Sequence, residues 1–283
     1  MANKTDAQIK EQVIAKSINE IKETAGKTTY KFPTELVDLP SKGKLYPEGH
    51  PLVSGQIEMK YMTAREEDIL TSQNLIQKGV VLDRLLQALI ITPVNYDDIL
   101  IGDKNAIMVA ARVMGYGAEY KVELEDPFTP GEKQSTSIDL QALEDTDVDW
   151  DEIGTENAFE FTLPTSKRTI TFKILTHGDE GKITEEVKAL KKNFRTRGIA
   201  GVDTQLSTRL KHMIIAVDGD STPKVIRDFV DNEFLSRDTI SFRAQIAKVS
   251  PDIDMTFTFI SDITGQEKDI AIPLGVNFFW PGV

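Results

Sequence analysis

Asp145, Asp147, Asp149 and Glu156 stand at positions one, three, five and twelve of a twelve-residue window, the spacing at which carboxylates can surround calcium. Trp150, however, occupies the place where the sharp turn of such a loop needs glycine, and Glu152 stands where an apolar residue is usual. The segment therefore reads as a solvated acidic linker. His177 lies beside Asp179 and Glu180, and His212 beside Lys211, but no motif gives either one a serine nucleophile or a metal partner. Ser41-Lys42-Gly43-Lys44 lacks the upstream glycine and the Lys-Ser/Thr pair of a Walker phosphate loop. Gly115-Tyr116-Gly117 has no preceding strand to make it a dinucleotide loop. Lys188, Lys191, Lys192, Arg195 and Arg197 could meet phosphate, and read instead as a solvated helix face or as a face opposing the acidic linker. No enzyme activity, cofactor or metal is expected.

Thr63, Arg65, Glu66 and Asp68 could form one more acidic site, and the element that carries them decides against it. In IEMKYMTAREEDIL (57–70), Ile57, Met59 and Tyr61 alternate with Glu58 and Lys60, the period-two pattern of a half-buried strand. Thr63 and Glu66 then have capping-box spacing, in which each side chain satisfies the other's free backbone N–H at a helix start. A strand runs straight into a capped helix. ITFKILTHGDE (170–180) repeats the arrangement with Thr176 and Asp179, but replaces Arg65 by Gly178. A structural joint would keep the threonine and the acid and drop the arginine.

The composition excludes whole classes. Without cysteine there are no disulfides and no thiolate-bound metals. A net charge of −12 argues against general binding of nucleic acid or anionic membranes. No apolar run nears the ~20 residues of a membrane span, and the N-terminus lacks the apolar core of a signal peptide. At 40% hydrophobic residues a sizeable core can form, so an intracellular α+β protein is expected.

Along the chain, residues 5–22 read as an amphipathic helix with a narrow stripe of Val13, Ile14, Ile18 and Ile21, suited to docking. LPSKGKLYPEG (39–49) must be a turn-rich loop, because proline and glycine forbid regular structure there. Helices are expected over 63–78, over 80–91 with Leu82, Leu85, Leu86 and Leu89 inward, and from Asp103 as N-cap. A hairpin over 120–140 follows. In 134–166 no basic residue precedes Lys167, and acids accumulate; this shift marks a boundary. Strands near 158–163 and 168–175, helices over 184–194, 206–217, from Thr222-Pro223 and over 238–248, and a hairpin over 255–274 complete the pattern. The expected divisions are an arm (1–32), a first α+β half (33–140), an acidic linker (141–157) and a second α+β half (158–283).

The halves run in the same order. Arg84-Leu85 falls over Arg209-Leu210, Asp103 over Asp238, and Tyr120, Val122 and Leu124 over Met255, Phe257 and Phe259. The offset is constant from Asp103 to Leu124, which points to an internal duplication.

LPSKGKLYPEGHPL, IEMKYMTAREEDIL, DRLLQALI and GDKNAIMVAARVMGYG, with LPTSKRTITFKILT, TRLKHMI, FVDN, SPDID and PLGVNFFWP, resemble the baseplate hub proteins of T-even-type contractile-tailed bacteriophages (myoviruses). The resemblance covers about 32–281. It implies a non-enzymatic subunit or assembly protein of the baseplate central hub, in the virion tail and assembled in the host cytoplasm. Its partners would be other baseplate and tail proteins. The negative charge and the stripe of 5–22 favour an alternative, a transient tail-assembly chaperone, for example for the tape-measure protein. Partner contacts are expected at Val13, Ile14, Ile18 and Ile21, at Leu45 and Tyr46, and at Phe278, Phe279 and Trp280. Relatives often carry Cys-x-x-Cys-Gly at the hairpin tips, where this chain has Asp126-Pro127-Phe128-Thr129-Pro130-Gly131 and Ser261-Asp262-Ile263-Thr264-Gly265. Zinc in the relatives' form is thereby impossible, and proline and glycine geometry is expected to hold both turns.

Overall fold

The computed structural model describes residues 33–151, 153–154, 156–196 and 203–279. The expected helix over 5–22, with Val13, Ile14, Ile18 and Ile21, lies outside them, as does Trp280. Residues Thr34–Val283 form one compact unit, and its helices and small antiparallel sheets make an α+β fold.

Strands β1 (Thr34–Asp38) and β2 (Gln56–Lys60) pair antiparallel, Val37 opposite Ile57. Ile57 and Met59 point inward and are fully buried, while Gln56 is exposed, as alternation requires. The helix expected over 63–78 is two: α1 (Ala64–Leu70) and α2 (Gln73–Lys78). Ser72 opens the second, and the C=O of Ser72 takes up the N–H groups of Leu75 and Ile76, so a new helix starts rather than continuing. In α3 (Val81–Leu89) the buried residues are Val81, Leu85, Leu86 and Leu89, with Leu82 at the margin. The chain then bridges back to β2 through Ile90 and Met59. Helix α4 (Ile101–Tyr116) follows, and β3 (Glu119–Glu125) and β4 (Lys133–Asp139) form the hairpin. Asp103 is not the N-cap of α4; Leu100 is, and Asp103 lies inside the first turn, fully buried.

Beyond residue 157 two paired strands again precede helices and a closing hairpin. Strands β5 (Phe159–Thr162) and β6 (Thr169–Phe172) pair antiparallel, then come α5 (His177–Thr196) and α6 (Gln205–Met213). The helix expected to reach Val217 stops at Met213. Ile214–Val217 is instead β7, the third strand of the sheet β5-β6-β7. Its Ile214-Ile215-Ala216-Val217 is mostly β-branched and packs better on a pleated surface than on a helix. Helices α7 (Pro223–Asp228) and α8 (Ser236–Val249) lead to the hairpin of β8 (Thr256–Ile260) and β9 (Glu267–Ala271).

One hydrophobic core joins both halves, from Leu39, Ile57 and Leu85 through Ile107 to Phe172, Phe242 and Phe278. The backbone N–H of Ile101 donates to the carbonyl of Leu175 at 3.1 Å, and that of His177 to the carbonyl of Ile99 at 2.8 Å. Gly102 is required at this crossing, because a Cβ there would overlap the carbonyl of Pro251.

Candidate functional site

Two loops, the turn-rich 39–49 and the short 163–168, are held by buried carboxylates. Ser41 donates its N–H to Oδ1 of Asp103 at 3.0 Å and its hydroxyl to Oδ2 at 2.7 Å; the phenol of Tyr46 also donates to Oδ2, at 2.7 Å. Tyr46 in turn accepts from the N–H of Leu100 at 3.0 Å. Burial pushes the Asp103 carboxyl above its usual range, against the hydrogen bonds that favour the charge. Burial and the facing Asp103 push the Tyr46 phenol up as well. In the second half Asp238 does the same work: Oδ1 accepts from the N–H of Thr165 at 2.7 Å and Oδ2 from that of Ser166 at 3.0 Å. Desolvation opposes its charge, yet these bonds hold its carboxyl below the usual range. The sequence points to Asp103 as a cap and to Asp238 only as the start of a helix, because their partners lie 62 and 73 residues away.

The helix-start joints form at both Thr63 and Thr176. Oε2 of Glu66 accepts from the N–H of Thr63 at 3.0 Å and its hydroxyl at 2.6 Å, while Oε1 takes Lys60 Nζ at 2.8 Å. Burial works against this charge, but Lys60 and Thr63 outweigh it and bring the carboxyl down to about 2. In the second joint, Oδ2 of Asp179 takes Lys173 Nζ at 2.6 Å and the N–H of Thr176 at 3.3 Å, and the N–H of Asp179 returns to the Thr176 hydroxyl at 3.4 Å. Burial again opposes the Asp179 charge, and Lys173 wins, lowering its pKa.

Leu45, Tyr46, Phe278 and Phe279 are not open to a partner, which corrects the expectation from sequence. They are 4%, 6%, 0% and 1% exposed, filled in by the chain's own core. Phe278 is fixed by Arg112, itself buried, whose Nε donates to the Phe278 carbonyl at 2.9 Å and whose Nη1 donates to that of Gly117 at 2.8 Å. The ring of Phe278 meets Tyr120 edge-on, with centroids 5.1 Å apart.

The Ser41–Lys44 groups are engaged in structure. Ser41 is committed to Asp103, and the ammonium groups of Lys42 and Lys44 lie 4.3 and 5.0 Å from the ring centroid of Trp150. The acidic segment is not a solvated linker but a strap across both halves. Val148 and Ile153 are buried, the N–H of Asp149 donates to the Lys248 carbonyl at 2.8 Å, and that of Thr146 donates to the Asp252 carbonyl at 2.9 Å. Among the described residues no three acidic or histidine side chains gather as a metal site. The hairpin tips are held by side chains rather than by proline and glycine alone. Asp126 Oδ1 accepts from the N–H groups of Phe128 and Thr129, and Ser261 Oγ from those of Ile263 and Thr264.

His177 belongs to a cluster at the junction of the halves. Lys104 Nζ lies 2.6 Å from Asp83 Oδ1 and 3.0 Å from His177 Nδ1, and the Tyr96 phenol donates to the same Asp83 oxygen at 3.1 Å. The charged Lys104 has only protons to offer, so Nδ1 is the acceptor and Nε2 carries the imidazole proton. His212 pairs with Glu186 at 2.9 Å. Beside this junction, α4, α6 and α8 enclose a cleft of about 570 Å³ with Leu206, Leu210, Met213 and Ile246 in its lining and Arg209 and Arg243 among its polar groups. No family model, curated protein or solved structure matches this chain.

Proposed function

We propose that this chain is a non-enzymatic structural subunit of the central hub of a contractile phage tail baseplate, acting through protein–protein interfaces. The motifs quoted above, which resemble that family over 32–281, motivate the reading. The observation that carries it is the use made of two of them. LPSKGKLYPEG and LPTSKR each connect two paired strands, and each is clasped by an aspartate from the first turn of a long helix, Asp103 or Asp238. At the base of each loop a buried leucine closes the turn: the N–H of Leu39 donates to the Gly55 carbonyl and that of Leu163 to the Arg168 carbonyl, both at 2.9 Å. With the Lys60–Thr63–Glu66 and Lys173–Thr176–Asp179 joints, three separate constellations recur in the same order. We infer from them that the two halves arose by internal duplication, as a scaffold rather than as a pair of reaction centres. The partners on this reading are other tail and baseplate proteins, and neither nucleic acid nor membrane.

Mass spectrometry of purified, complete particles tests the reading. Detection of this chain in finished tails is expected, and its absence there would sink the structural version. The net charge of −12 favours a second reading, a transient chaperone of tail assembly. Co-expression separates the two: a chaperone is captured with one unassembled client, such as the tape-measure protein, and released before the tail is complete.

A further inference from the structure

We propose that the cleft between α4, α6 and α8 is a docking groove for an amphipathic helix of a partner protein that carries acidic residues beside its apolar stripe. The choice of a protein as occupant rests on the assembly role proposed above; the geometry stands by itself. The cleft, about 570 Å³, falls in the size range of sites that bury a compact ligand or a few large side chains. Its apolar lining comes from both halves, with Ile101 from the first and Leu175, Leu210, Met213 and Ile246 from the second. Most of these side chains pack into the protein, so the walls exist before anything binds. Leu206 differs from them. It lines the cleft yet is 50% exposed, so an occupant that covers it removes apolar surface from water. A cleft bounded by helices and floored with aliphatic side chains suits a helix that presents residues at i, i+3, i+4 and i+7.

Charge selects among such helices. Arg243 is exposed, lines the cleft, and has no ion-pair partner among the described residues. Arg209 lines it too and is shared with Glu180. Among the described residues that line the cleft, Arg243 is the cation left without an ion pair. A carboxylate on the incoming helix can pair with Arg243 in a fork, whereas a lysine would be repelled. Asp252 also lines the cleft, but its carboxylate already accepts from Asn105 Nδ2 at 3.0 and 3.2 Å. Burial pushes the Asp252 carboxyl above its usual range, against the hydrogen bonds from Asn105 and Ile253.

The test is selection of a randomised amphipathic-helix library on the full chain, with the Leu206→Asp chain as the counter-target. Leu206 and Arg243 are exposed, so both variants should keep the wild-type melting curve, which is measured first. Enriched helices should carry an i, i+3, i+4, i+7 apolar stripe with Glu or Asp at its flank, and lose at least about tenfold in affinity for Arg243→Glu. Selection repeated on Arg243→Glu should enrich basic flanks instead. Enrichment of no helix, or of helices indifferent to both substitutions, would overturn the proposal. Dodecanoate binding through Leu206 and Arg243 in the absence of any selected helix would assign the groove to an acyl chain. Self-association of the wild type, lost in Leu206→Asp, would assign it to a second copy; either result rejects the partner helix. Failure here leaves the particle measurement untouched, because presence in the tail does not depend on this groove.

Discussion

The hydroxyl of Ser261 donates to Oδ2 of Asp126 at 2.5 Å, so one short hydrogen bond joins the tips of the β3–β4 and β8–β9 hairpins. Gln134 adds a second tie, donating to the Ile260 carbonyl and accepting from the Asp262 N–H, both at 2.8 Å. Ser261 is 1% exposed, and its oxygen also gathers two N–H groups of its own turn. Ser261→Ala strands those donors and is expected to cost about 1–3 kcal/mol in urea unfolding. An unchanged midpoint would show that Gln134 alone holds the tips. Since oxygen atoms of the chain close both turns, EDTA should leave the helical circular dichroism unaltered, and a loss of signal would reveal a metal-dependent tip.

Asp103 satisfies three donors at once, from Ser41 and Tyr46, inside the core. Asp103→Leu removes every acceptor and should destabilise by at least about 1–3 kcal/mol, the cost of leaving a buried donor unsatisfied. Asp103→Asn keeps an oxygen for the Ser41 N–H and lets the two hydroxyls turn to accept from the amide, so it should lose distinctly less. Equal losses in the two variants, measured by denaturant unfolding, would contradict this account of the clasp.

The α+β pattern, the hairpins and both helix-start joints were legible in the sequence because their determinants are local. Thr63 and Glu66 are three residues apart, and strand alternation at Ile57 and Met59 needs no distant partner. What was not legible depends on long separations. Ile214–Val217 has apolar residues that fit a helix continuing from α6, and only the neighbouring β6 makes it a strand. Phe278 reads as an open aromatic until Arg112, 166 residues away, takes its carbonyl. The clasping role of Asp103 and Asp238 could have been suspected from one signal, an aspartate at the third position of each of two long helices, Ile101–Tyr116 and Ser236–Val249.

Glu66 offers a pH test of the joint. Its carboxyl lies near 2 in the folded chain, below the ordinary 4.5, so the folded state holds the charge more tightly than the unfolded state. That stabilisation is complete above the ordinary value and is lost as pH falls toward 2. Glu66→Gln should remove this part of the acid sensitivity and cost about 0.5–2 kcal/mol at neutral pH through the weakened cap. Unfolding curves at several pH values would show it as a shallower slope below pH 4.5. An unchanged slope would mean that the Lys60–Glu66 pair adds nothing to folding.

His177 adds a second acid-sensitive group, at the junction of the halves. Burial and the adjacent Lys104 hold its pKa below the usual 6.5, although Asp83, Asp97 and Glu180 pull the other way. The geometry agrees, since Nδ1 is occupied by the Lys104 ammonium and cannot be protonated without breaking that bond. The unfolded chain therefore takes up a proton at higher pH than the folded one. Stability is complete above the ordinary histidine range and falls as pH drops through it toward the folded value. His177→Gln can still accept from Lys104 and does not titrate, so its stability should be flatter between pH 7 and 5 than that of the wild type. Hydrogen exchange should place the acid-induced opening at the N–H groups of His177 and Ile101, which bond across the junction to Ile99 and Leu175. Equal pH slopes in the wild type and His177→Gln would remove His177 as the titrating group, and opening confined to the hairpin tips would remove the junction as its site.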